Sequence, residues 1–148
     1  MYDQPRPNPA QPAMTFEQML ERVRYEGAYP TRERAAEAVH HVLAALGRQL
    51  TGDERVDLAQ ALPVEASLAL TAQIPGTQSL TGWGFVKDLA ARTGASPAAA
   101  RWDTGAVLAI VTRLAGPALL ARILRRLPDG YALLFGQAEL RRPESAAA

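Results

Sequence analysis

The sequence predicts an all-α protein of about eight helices, two tandem four-helix repeats packed into one compact unit. Three observations lead there. Val39, Val42, Leu43, Leu46 and Leu50 fall at i, i+3, i+4, i+7 and i+11, one continuous apolar stripe on a 3.6-residue helix. The stripe returns 65 positions later, where Val107, Leu108 and Val111 stand for Val42, Leu43 and Leu46. The punctuation returns with it: Thr31 and Ser96 are both N-cap residues, and Leu62-Pro63 and Leu127-Pro128 both mark breaks. One spacing that unites helices, caps and breaks argues for duplication of a four-helix unit.

Taken in order, residues 1–13 carry Pro5, Pro7, Pro9 and Pro12 with no apolar period, and are expected to form an extended tail. Repeat 1 covers residues 14–74. It opens on Thr15-Phe-Glu-Gln18, a capping box in which the Thr hydroxyl and the Gln side chain satisfy first-turn amides. Phe16, Met19, Leu20 and Val23 line the first helix, which Gly27 and Pro30 end. Thr31 then caps the central helix, and Glu33 sits in its first turn, where the helix dipole favours a negative charge. Thr51-Gly-Asp-Glu54 reads as a second capping box before a short helix carrying Val56, Leu58, Ala59 and Leu62. A fourth helix runs from Val64 to about Ala72.

Residues 75–79 have turn chemistry and serve as the linker. Repeat 2 covers 80–140. Phe85, Val86 and Leu89 stand where the first helix carried Met19, Leu20 and Val23, and Gly82 and Gly84 beside Trp83 are expected to relieve crowding between helices. Ser96 caps the second central helix, with Pro97 at the first helical position, where a missing amide hydrogen costs nothing. This copy is apolar over more of its circumference, with Ala106, Ala109 and Ile110 beside the stripe, so it is expected to be the more deeply buried. Gly116-Pro117 starts a separate helix through Leu119, Leu120, Ile123, Leu124 and Leu127. A last helix holds Tyr131, Leu134, Phe135 and Ala138, and residues 141–148 form a frayed tail.

With 148 residues, 48% of them hydrophobic and 21% charged, one domain or two small fused ones both fit, and neither needs a metal or disulfide to fold. Cysteine is absent, which removes disulfides and thiolate sites. The opening residues lack a basic then apolar leader pattern, so a cytoplasmic location is expected. The run Gly105 to Val111 falls short of the roughly 20 residues a membrane span requires, and no transmembrane segment is expected. A net charge of +1 exerts no overall pull toward nucleic acid. The halves differ: residues 1–78 carry seven basic and ten acidic side chains, and residues 79–148 carry nine and five.

The pattern Ala38, Val42-Leu43, Leu46, Leu50, followed by Asp57-Leu-Ala-Gln-Ala-Leu-Pro63, resembles the repeat of an uncharacterised bacterial family, domain of unknown function 2267. The resemblance covers about Thr15 to Leu140. It implies a helical fold in a bacterial cytosol, and it brings no activity or catalytic residues with it.

Three groups of residues are candidates for chemistry. Glu37-Ala-Val-His40 matches the Glu-x-x-His element of bundle di-metal sites, and His41 follows it, but such a site takes two of these elements and two more carboxylates. Trp102 and Gly105 hold the matching positions of the second copy, so only a homodimer would complete the set, and a solvated Glu/His edge is the plainer reading. Arg122, Arg125 and Arg126 form a basic helix face that suits phosphates or a partner's carboxylates, or is simply the wet side of its helix. Trp83 and Trp102 either plug the seam between repeats or mark an interface. No catalytic residue and no cofactor is assigned. The expected function is a non-enzymatic interaction module that binds a protein partner or itself, with a nucleic-acid-binding regulator and a dimer-assembled metalloprotein as the alternatives.

Overall fold

In the computed structural model, residues 13–138 are described, and the expected tails lie outside them except for Ala13. Seven helices follow in order: α1 (Phe16–Gly27), α2 (Arg32–Gly47), α3 (Gly52–Ala61), α4 (Val64–Thr71), α5 (Gly82–Thr93), α6 (Pro97–Arg126) and α7 (Tyr131–Leu134). There is no strand among the described residues.

The caps explain where the helices begin. Thr15 accepts from the Gln18 amide at 3.1 Å while the Gln18 side chain accepts the Thr15 amide at 2.9 Å, so the first capping box is formed. Thr31, Thr81 and Ser96 each accept from the amide three residues on. The second box is not formed. Thr51 makes no capping bond, and Glu54 turns away from it to pair with Arg122 and Arg126. Two guanidinium groups outcompete one backbone amide for the same carboxylate.

The expected eighth helix is fused to its predecessor. Helix α6 runs 30 residues, but Gly116 inside it has φ 80° and ψ 163°, so two rods meet at a kink. The left-handed φ suits glycine, and Pro117 begins the second rod without needing an amide donor. The last helix is shorter than expected, four residues rather than a run to Ala138, because Phe135 and Gly136 already turn the chain. At the Leu-Pro breaks the backbone angles agree closely: φ −94°, ψ 152° at Leu62 and φ −95°, ψ 151° at Leu127.

Helix α2 and the first rod of α6 form the centre. α1 packs on both, α4 on α2, α5 on α6, and α3 crosses to the second rod of α6. Residues 65 apart share the core: Val42 and Val107, Leu43 and Leu108, Leu58 and Ile123, Leu62 and Leu127, Leu70 and Phe135 are all buried. The second central helix is no deeper than the first: α2 buries eight of its sixteen residues, and the stretch of α6 in matching register, residues 97–112, also buries eight of sixteen. Asp103 and Thr104 occupy part of the α6 core face, which limits how apolar its surroundings become.

Two glycines are required by close approach. A Cβ on Gly47 would lie 2.0 Å from the Leu70 carbonyl oxygen, which is how α4 closes against α2. A Cβ on Gly82 would lie 2.6 Å from the Gly130 carbonyl, so this glycine relieves crowding as expected, whereas Gly84 meets only the tip of Thr81 and the Leu80 side chain at 3.4 Å or more.

Among the described residues α6 is the one helix whose length and apolarity match a membrane span, with mean hydropathy 1.8 over its best window. Separating the chain at Gly116-Pro117 hid that length in the sequence. The same helix supplies Val107, Leu108, Val111 and Ile123 to the core, all fully buried, so its apolarity has a use within the fold.

Candidate functional site

A half-open cleft of about 560 Å³ lies between the second rod of α6 and the turn into α7. Its floor is the stripe Pro117, Leu120, Ala121, Leu124, and its far wall is Pro128 to Ala132 with Gln137 and Ala138. The extended Leu127 and the left-handed Gly130 fold that wall back over the rod. Tyr131 anchors it: the ring packs edge-on against Phe85 at 5.6 Å, and the hydroxyl donates to the Leu80 carbonyl at 3.0 Å. Arg125 and Asp129 supply the charge at the rim.

The first half treats the matching place differently. Arg55, 65 residues before Leu120, reaches between α2 and α4 and donates to carbonyls at the ends of both. Its partners are Leu50 at 3.0 Å, Gln73 at 2.6 Å, Leu70 at 3.3 Å, Thr71 at 3.4 Å and Gly47. These are the orphan carbonyls that every helix C-terminus leaves, and a cation there also meets the negative end of the helix dipole. In the second half, Leu120 cannot do this. Among the described residues no cationic side chain donates to the carbonyls of 112, 115, 135, 136 or 138; Phe135 receives only the Thr112 hydroxyl at 3.2 Å and the Gln137 amide at 3.4 Å.

Two polar clusters join the halves. Asp103, buried on α6, accepts the Tyr29 hydroxyl at 2.5 Å and Arg34 at 3.2 Å, and the Arg34 guanidinium lies 5.0 Å from the Tyr29 ring centre. Burial, then the adjacent carboxylate, push the Tyr29 hydroxyl well above its ordinary pKa of 10.0, and burial does the same to Tyr131. Both must stay neutral in the fold. Their contribution to stability is complete below pH 10 and is lost as pH rises past it, because the unfolded chain then releases protons that the folded one holds. In a spectrophotometric titration at 295 nm, the phenolate signal of these two tyrosines is expected to be missing at pH 10–11 in the native protein and to appear only with unfolding.

At the other cluster Arg122 pairs with Glu54 at 3.2 Å and Asp57 at 2.8 Å, and Arg126 with Glu54 at 3.2 Å. The acidic first half and basic second half therefore meet within one chain.

This accounts for the expected basic face: two of its three arginines serve as internal clamps, and Arg125 is left at the cleft. Trp102 is 58% exposed, yet its indole N–H donates to the Gly27 carbonyl at 2.8 Å and ties α6 to the end of α1. Trp83, 59% exposed, stands on the first turn of α5. Glu37, His40 and His41 are exposed on α2; Glu37 lies 3.9 Å from Arg34, and the His40 ring centre is 6.0 Å from that of Phe16. Among the described residues no three His, Cys, Asp or Glu side chains converge to hold a metal. Arg55 and the Tyr29–Arg34–Asp103 cluster escaped the sequence reading. A signal existed for each: a charged residue at a register position whose counterpart 65 away, Leu120 or Ala38, is apolar.

Residues 16–134 match the uncharacterized conserved protein family DUF2267. The chain belongs to DUF2267. That span takes in all seven helices, both polar clusters and nearly all of the cleft, and agrees with the resemblance carried by the Val42-Leu43 and Asp57–Pro63 patterns. No curated protein matches this member of DUF2267.

Proposed function

We propose that this DUF2267 chain is a non-enzymatic interaction module, built from two copies of a four-helix unit, that takes a segment of a protein partner into the cleft of its second half. The observation that carries the reading is the cleft itself. A half-open volume of about 560 Å³ with apolar walls and a few polar groups at the rim has the size and lining of a binding site. The matched caps, Leu-Pro angles and buried pairs at a spacing of 65 support the two-copy origin. A bacterial cytoplasmic setting, expected from the sequence, belongs to the same proposal.

The alternatives have less support. Nucleic-acid binding through the basic face has Arg125 to work with, because Arg122 and Arg126 are neutralised by Glu54 and Asp57. A metal site on Glu37, His40 and His41 needs a second chain to contribute its remaining ligands.

Ala121 lies exposed on the cleft floor, so Ala121→Phe fills the cleft without disturbing the core. The test compares wild-type and Ala121→Phe chains as baits in a lysate of the source cell, with captured proteins identified by mass spectrometry, alongside light scattering of each purified chain. A defined partner retained by the wild type and lost by the variant, at equal melting temperature, is the expected result. Equal capture by both, or none by either, overturns the reading. A dimer that Ala121→Phe dissociates replaces the partner with a second copy.

A further inference from the structure

We infer that the cleft is taken in cis by the segment of chain that leaves it, with the Leu140 side chain on the floor of Leu120 and Leu124, and that a partner binds only by displacing this segment. Such regulation rests on the interaction-module reading and deepens it. Its basis is the place where the cleft wall ends. Gln137 and Ala138 line the cleft as the last two described residues, both exposed, and residues 139–148 continue from that point. Leu140 is the one large apolar residue among them, and it stands two positions beyond a lining residue. Two residues span at most about 7 Å, so this leucine is delivered to the mouth of the cavity by the backbone itself.

The charges at the mouth match as well. The floor is apolar, and the charged residues of the lining are one arginine and one aspartate, Arg125 and Asp129. Leu140 is flanked in the same way, with Glu139 before it and Arg141 after it. An apolar residue between an acid and a base complements an apolar floor beside a base and an acid, whereas an occupant of one sign meets repulsion from one of the two. The neighbouring Arg122 and Arg126 do not alter this balance, because Glu54 and Asp57 hold them. Attachment at the rim then favours this occupant over a free one: a short tether presents its segment at roughly millimolar effective concentration. A partner meets the cleft only in the fraction of molecules from which the segment has withdrawn, and its apparent affinity falls by that fraction.

The experiment titrates a synthetic peptide of residues 137–145 into the full isotope-labelled chain, as wild type and as Leu140→Asp, while amide shifts of residues 117–132 are followed. In the Leu140→Asp chain those amides are expected to move away from their wild-type positions at unchanged melting temperature, and the peptide is expected to bind and move them back. The wild-type chain, its cleft already filled, is expected to bind the same peptide roughly fivefold or more weakly. A peptide that itself carries Leu140→Asp is expected to bind neither chain, and Ala121→Phe in the Leu140→Asp background to abolish binding from an exposed position on the floor. Equal binding of the peptide by the wild-type and Leu140→Asp chains overturns the inference, because the cleft is then open in the intact protein. So does absence of binding by both. In either case a partner captured by the wild type and lost with Ala121→Phe leaves the interaction-module reading standing, while an Ala121→Phe chain that behaves as wild type in both experiments removes the two together.

Discussion

Replacing Leu108 by Ala is expected to lower stability by about 2–5 kcal/mol, and replacing Leu43 by Ala to cost a similar amount. Both side chains are fully buried on the central helices, and truncation removes apolar contacts and leaves a cavity that close-packed neighbours fill only in part. In a chain of this length such a loss lowers the melting temperature by roughly 5–15 °C. Urea denaturation of each variant measures it directly. A loss below about 1 kcal/mol at either position would mean that the ridge is not what holds the halves together.

Asp103→Ala is expected to cost about 2–4 kcal/mol, which is large for a polar residue. The substitution leaves the buried Tyr29 hydroxyl without its acceptor and Arg34 without its main partner. The figure stays below that of a wholly buried pair because the Arg34 side chain is 37% exposed and water recovers part of the loss. Tyr29→Phe in the Asp103→Ala background removes the orphaned hydroxyl, so the double variant should be more stable than additivity predicts. A double-mutant cycle with no coupling between the two positions would show that the 2.5 Å contact contributes nothing.

Helix positions were legible in the sequence because caps and apolar periods are local signals. Thr15, Thr31 and Ser96 name their own helices, and the stripe from Val39 to Leu50 is buried throughout. The misread boundaries are those where a distant group intervened. Glu54 has the spacing of a capping residue, but its partners, Arg122 and Arg126, lie about seventy residues away. Gly116-Pro117 has the chemistry of a stop, yet packing on both sides holds the two rods end to end across the kink. The cleft was illegible for a related reason: it is a space enclosed by Pro117 to Ala132 with Gln137 and Ala138, whose meeting no local signal encodes.

The crossing of α3 onto the second rod of α6, with α1 laid along the first, makes each half the lid of the other. A cut in the 72–81 loop would sever the backbone without separating the pieces, since neither piece keeps its apolar surface covered alone. Such fragments would have to find each other to fold, and the intact chain is expected to melt in a single calorimetric transition rather than in two stages.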